Sequence, residues 1–498
     1  MNNDRKRSHL DDPSPDPNNK KLHRSNPQPP QEQPNHPNRL PVFTSYLQVP
    51  NLPPTIKQLC EIVANTPSLT VERVLEGTGI RVSQEIVEQV LKHSYAYPGP
   101  AVKFFRWSAY QLNERQSPYA WNLVVDLLGK NSLFDAMWDA IKSMKREGLL
   151  SLATFASVFS SYIVHGRVQD AIRAFEVMEQ YGCRRDIVAL NSLLSAICRD
   201  GKAIDAVDFL RVVKVSIRPD ADSYAILLEG LENEGNVVGS RQTFAEMVAE
   251  IGWDPRNVPA YDSFLSTLLK GHGGVHEAVD SFKMLSDKRC YPGMKFFQLA
   301  LEECLKTYDV RAAEFIWESM VGGIGLRPDT QMYNSMITIH CYSNNTDIAI
   351  KLLDEMVYNG VFPDVHTYNV LFQFLIKARK LRKASVLFNE MIRNEFVPSR
   401  DNCDAAVRIY IGTGDPYMAI KVWKCMFDNH HSNLADTGNI LVHGLCDMDM
   451  LPEAVKYAEG MIERGIELTS SLSKLKQRLT EARKVYMYDE LLRKKTAH

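Results

Sequence analysis

Between Thr330 and Asp364 the apolar positions fall at helical spacing twice in succession. Met332, Tyr333, Met336, Ile337 and Ile339 mark one helix, which stops near Ser343, Asn344 and Asn345. Ile348, Ala349, Ile350, Leu352, Leu353 and Met356 mark a second. Asn359-Gly360 offers a glycine to close it, and Pro363 blocks continuation. The stretch predicts two antiparallel helices and a proline-bearing turn. The same beat runs along the chain. Ala101, Ala136, Ala171, Ala206, Ala278, Ala313, Ala349, Ala384, Ala419 and Ala454 share one register, with Ser240 in the gap. Met178, Met247, Met320, Met356, Met391, Met426 and Met461 follow seven residues behind their alanine or serine. A fixed period of about thirty-five residues predicts stacked supersecondary units, hence an all-α solenoid. Alanine suits a close helix crossing, and methionine fills irregular gaps.

Turn prolines at Pro219, Pro292, Pro328, Pro363 and Pro398 complete the register. Units fall at 118–151, 152–186, 187–220, 221–257, 258–293, 294–329, 330–364, 365–399, 400–434 and 435–469, with a worn unit at 82–117. The array thus covers 82–469 in ten or eleven units. Helices within 51–81 and a helix in 470–498 are expected to cap its ends, because terminal repeats would otherwise expose an apolar face. Residues 1–50, rich in Pro, Asn and charge, are expected to be a disordered or targeting segment.

Composition narrows the class. Of 498 residues, 45% are hydrophobic and 24% charged, as in ordinary soluble chains. The nine cysteines lack any CxxC pair, so no zinc site or disulfide framework is expected. The apolar stretch Leu149 to Val164 is in register with the first helix of a unit and reads as buried helix, not membrane span. Lys270-Gly271-His272-Gly273-Gly274 lacks phosphate-loop spacing, and His430-His431 lacks further ligands. No catalytic pair, metal or cofactor is expected.

Met332-Tyr333-Asn334, Glu355-Met356, Gly360 and Pro363-Asp364 resemble the pentatricopeptide repeat, and Thr367-Tyr368-Asn369, Glu390-Met391 and Pro398 repeat the match. The rival tetratricopeptide repeat would want a Trp…Leu-Gly…Tyr pattern that is missing. The resemblance implies a right-handed superhelix of the plain repeat class, binding single-stranded RNA with about one base per unit. In the family the fifth and last residues of a unit select the base. Asn191 with Asp220 and Asn334 with Asp364 match the uracil combination. Asn122 with Ser151, Asn369 with Ser399 and, more weakly, Asn439 with Thr469 match the cytosine one. Ala156 with Asp186 and Ala225 with Asn257 lean towards purines, while Asp262 with Gly293, Gln298 with Asp329 and Asp404 with Leu434 fit no rule. The implied ligand, 5′ to 3′, is C, purine, U, purine, two unread bases, U, C, one unread base, then C. Family units place an aliphatic residue second. Val188 fits, against Asp222, Lys295, Gln331, Asp401 and Asp436.

Charge adds one pattern. The net of −2, with +2 in residues 1–50 and +5 in 470–498, leaves −9 between them. Lys130, Arg199, Lys270, Lys306 and Lys377 nevertheless all hold the thirteenth place of their units and would align as a phosphate-contacting stripe. The expected function is sequence-preferring binding of organellar RNA, acting in processing, stabilisation or translation by occupancy. The expected partners are single-stranded RNA and RNA-processing or translation factors, with the chain a monomer and not an enzyme. The stretch after the last unit is short for the deaminase or endonuclease domains that some family members carry. A protein-binding scaffold is the alternative, favoured by Asp262, Gln298 and Asp404. On family grounds the compartment is the mitochondrion, with the chloroplast open. Arg5, Lys6, Arg7, Lys20 and Lys21 leave the nucleus open as well.

Overall fold

The computed structural model describes residues 43–497 apart from Glu114. Among them are 26 α-helices and no strand. Twelve helices form one row: Gln84–Lys92, Pro118–Lys130, Leu152–Val164, Ile187–Arg199, Ala221–Asn233, Val258–Leu269, Met294–Thr307, Thr330–Tyr342, Val365–Lys377, Arg400–Gly412, Ala435–Asp447 and Ser470–Glu481. Each packs on the next in the row and on the antiparallel helix that follows it in sequence. The helices of that second row touch one another far less. A row packed more closely than its partner is the shorter arc, so the first helices line the concave side of a superhelical solenoid.

Local chemistry sets the boundaries. The last residue of a unit is the N-cap of the next inner helix: Asp186, Asp220, Asp329 and Asp364 each accept a hydrogen bond from a backbone N–H three residues on. Gly360 closes its outer helix in the left-handed region (φ 76°), as Gly148 and Gly465 do. Within the unit at 330–364, Asn359 donates to the Tyr333 hydroxyl (2.9 Å), which donates to Glu355 (3.2 Å). The next unit repeats this latch with Asn394, Tyr368 and Glu390 at 3.0 and 2.9 Å. Burial, then the Glu390 carboxylate, pushes the Tyr368 hydroxyl up to about 12.

The recurring small residue is buried at Ala101, Ala171, Ala206, Ser240, Ala278, Ala313, Ala349, Ala384, Ala419 and Ala454, and all seven methionines are fully buried. Ala136 departs from the pattern: it is exposed, and Met137 holds the buried position. The small residue there has moved to the facing helix. A Cβ on Gly129 would meet the Met137 sulfur at 2.9 Å and overlap the Ser161 hydroxyl.

The ends extend the stacking. Pro54–Asn65 packs on Gln84–Lys92, and Val71–Gly77 on Pro98–Gln111. The stretch from 470 makes two helices where one is expected, Ser470–Glu481 and Val485–Ala497, because Arg483 turns left-handed (φ 56°) between them. Residues 43–50, placed with the disordered segment by composition, are folded instead. Tyr46 is buried, and the Phe43 ring lies 5.5 Å from Tyr95. The rest of that segment, with its basic pairs, lies outside the described residues. Among the described residues no helix is long and apolar enough to cross a membrane.

Candidate nucleic-acid interface

The fifth residue of each unit stands on the concave row, one turn from the helix start. Its neighbours decide what its side chain can still offer. Asn334 donates from Nδ2 towards both oxygens of Asp364 (3.3 Å each), while its Oδ1 accepts from the Thr367 hydroxyl at 2.5 Å. Thr367 also donates its backbone N–H to Asp364 (2.8 Å). Burial pushes the Asp364 carboxyl up, but the bonds from Thr367 and Asn334 outweigh it and hold the group below the usual carboxylate range. Asn191 repeats the arrangement, with Nδ2 3.2 Å from Asp220 and Oδ1 2.7 Å from the Ser223 hydroxyl. An amide has two N–H groups and two acceptor sites. In these two units one of each remains, which suits the N3–H donor and adjacent carbonyl of uracil.

Asn369 is wired differently. Its Oδ1 accepts from the Ser399 backbone (2.7 Å) and from Asn402 (3.0 Å), and its Nδ2 donates to the Val365 carbonyl (2.8 Å). What remains is one N–H, a fit for the N3 acceptor of cytosine. At the unit 118–151, Thr154 of the next unit donates to Asn122 Oδ1 (2.7 Å), and Ser151 caps the helix that carries Thr154. The third residue of the following unit therefore orients the fifth residue before it, through Thr154, Ser223, Thr367 or Asn402. Sequence reasoning missed these residues. Their signal was a Ser, Thr or Asn at the third place beside the Asn-bearing units.

Other expected readers are not free. Asn439 spends both N–H groups on the carbonyls of Ala435 (2.8 Å) and Glu467 (3.0 Å). Its Oδ1 accepts from the Thr469 backbone (3.0 Å) and the Ser471 hydroxyl, so nothing remains for a base. Asn257 is buried, its Nδ2 3.1 Å from the Met247 sulfur. The cause is its backbone: at φ −81°, ψ 43° it leaves the extended conformation that Asp186 (φ −106°, ψ −176°) and Asp220 share. Ala225 thus has no last-residue partner in the groove. Ala156 is half-buried, and Asp186 is exposed while capping Ala189 at 3.0 Å. Gln298 does reach Asp329, at 2.7 Å. Asp404 is bound by Arg408 (2.9 Å) and the Thr437 hydroxyl. Asp262 accepts from the Phe296 backbone (3.2 Å), and the bare Gly293 leaves room for its carboxyl. Burial raises its pKa despite that bond.

The expected phosphate stripe is broken. Lys130 pairs with Asp126 (2.9 Å), Lys306 with Glu303 (2.9 Å), and Lys270 donates to the Glu232 carbonyl (2.9 Å). Acidic neighbours three or four residues back on the same helix capture the first two. Arg199 and Lys377 have no ion-pair partner among the described residues. At the second place Val188 is exposed, as expected. Tyr119 is exposed at the second place too, with the Lys92 ammonium 5.2 Å over its ring. Clefts of about 640 Å³ at Asn334 and Asp364, and about 680 Å³ at Asn191 and Asp220, open on this face.

A PPR repeat model matches residues 119–149, 153–183, 366–396 and 439–466, a PPR repeat family model 328–377, and a pentatricopeptide repeat domain model 173–234. The chain belongs to the pentatricopeptide repeat family. A mitochondrial pentatricopeptide repeat-containing protein of Arabidopsis thaliana is 32% identical over 38% of this chain and 37% of its own length. A second is 24% identical over 62% of this chain and 55% of itself. A small ribosomal subunit protein of the same plant is 27% identical over 60% of this chain and 73% of itself. The chain thus spans less than two thirds of the first two relatives. Among solved structures, the pentatricopeptide repeat protein PPR10 in complex with an 18-nt psaJ RNA element is 19% identical, covering 87% of this chain and 67% of its own, at a TM-score of 0.41.

Proposed function

We propose that this pentatricopeptide repeat protein binds single-stranded RNA along its concave row and selects bases at the units whose amides keep free hydrogen-bonding groups. The observation that carries the reading is the pair of matching networks, Asn191–Asp220–Ser223 and Asn334–Asp364–Thr367. Each leaves one donor and one acceptor facing a cleft wide enough for a base. Selective units are 187–220 and 330–364 for uracil, 365–399 for cytosine, and 118–151 for a pyrimidine. Units 258–293, 400–434 and 435–469 admit a base without choosing it. The protein acts by occupancy as a plain-class member with no catalytic step of its own. It shields RNA or holds it unpaired for a processing or translation factor. Mitochondrial RNA is the proposed target, supported by the compartment named for the first two relatives.

Crosslinking the protein in cells and sequencing the bound RNA tests this. Enriched segments should share two uracils spaced as units 187–220 and 330–364 are, the second followed by cytosine. Recovery of no RNA above background would overturn the reading in favour of a protein-binding scaffold.

A further inference from the structure

One stretch of the groove edge is aromatic. In the unit at 330–364 the thirteenth place holds Tyr342, where five other units hold Lys or Arg. Asn334, Thr338 and Tyr342 stand at successive i, i+4 steps on one helix face, which puts Tyr342 about 12 Å along that helix from the base-selecting residue, at the edge of the groove. Tyr342 is 54% exposed and Tyr308 57%. Their rings meet edge to face, 5.1 Å apart, and the half-buried Phe374 meets Tyr342 in the same way at 4.9 Å. Tyr308 adopts left-handed backbone (φ 55°), a conformation costly for a bulky residue, and lines the same cleft as Asn334 and Asp364.

The ladder runs into charge. The Lys377 ammonium sits 5.3 Å over the Phe374 ring, and the turn that follows reads Lys377-Ala378-Arg379-Lys380-Leu381-Arg382-Lys383. Asp347 takes up Lys380 (2.9 Å) and Lys383 (2.5 Å). Lys377, Arg379 and Arg382 are exposed and have no ion-pair partner among the described residues. Exposed rings beside unpaired cations are the chemistry of single-strand grip: bases stack on any ring face while phosphates meet the charge, without reading sequence.

We propose that Tyr308, Tyr342 and Phe374, with Lys377, Arg379 and Arg382, form a second RNA site that stacks one or two unread bases of the strand held in the groove. The proposal rests on the RNA-binding reading above. The platform anchors the strand next to the uracil- and cytosine-selecting units, where the broken basic stripe supplies little else.

The test is fluorescence anisotropy of the full chain with two RNAs, one matched to the selective units and one with its U and C positions changed to purines. Tyr308→Ala with Tyr342→Ala should weaken both by roughly 10-fold, leaving their ratio and the thermal midpoint unchanged, and Tyr342→Phe should bind as wild type. Arg379→Gln with Arg382→Gln should flatten the salt dependence of log K by about 1.4. Unchanged affinity in the tyrosine variants, while the wild type still prefers the matched RNA, overturns the platform alone. Loss confined to the matched RNA also overturns it, since the rings would then act through Asn334. Failure of the wild type to bind either RNA overturns both proposals.

Discussion

Thr367 has two jobs, one at its hydroxyl and one at its backbone. It accepts no base, but its O–H fixes which face of the Asn334 amide is spent, and its backbone N–H secures Asp364. Thr367→Val should keep the fold and let the amide turn. Discrimination between uracil and cytosine at that unit should fall roughly 3- to 10-fold, the worth of one hydrogen bond, as read by equilibrium binding of two RNAs differing at that base. Asp262 is the opposite case, a carboxyl held where an amide would fit. Burial raises its folded pKa above the unfolded value, so its ionised form costs stability. That cost is absent below the unfolded pKa of about 4 and grows as pH rises through the folded value. Asp262→Asn should therefore raise the thermal midpoint on the order of a degree at pH 7, with the gain gone at pH 3. An equal gain at both pH values would contradict this. The fifth and last places were legible as residue types. Whether each amide was free was not, because that depends on cap backbone angles and on a residue of the next unit.

A unit holds its two helices together by one close crossing, and the crossing needs one small residue, on either helix. Nine units, counting the worn one at 82–117, place it on the outer helix as alanine, and the unit at 221–257 places it there as Ser240. The unit at 118–151 places it on the inner helix as Gly129, opposite Met137. Gly129→Ala alone should destabilise by about 1–3 kcal/mol through overpacking, and Met137→Ala alone by about 2–5 kcal/mol through a cavity. The double variant should cost less than the two summed, by about 1 kcal/mol or more in denaturant melts. Additive losses would show that the two residues do not share one crossing. The alanine period revealed nearly every crossing, since packing geometry repeats with the chain. It misplaced this one because volume is conserved across the pair, not at one position.

Over the whole molecule, fold and ligand chemistry differ in how they are written. Stacking is a property of every unit, so helix order and turns followed from the period, while the superhelical curvature was implied by the family resemblance. Charge is local: three of the five aligned cations are consumed by acids or a carbonyl nearby, and the basic turn at 377–383 belongs to one unit only. With Arg199, Lys377, Arg379 and Arg382 as the available contacts, log K for single-stranded RNA should fall with log salt at a slope of about −3. A slope near zero would remove the phosphate contacts. The measurement closest to the central claim is the binding of a matched RNA against the same RNA with each expected uracil exchanged for cytosine, in wild type and in Asn334→Ala with Asn191→Ala. The wild type should prefer uracil by about 10-fold or more, and the double variant should bind both alike. Equal binding of the two RNAs by the wild type would contradict the claim.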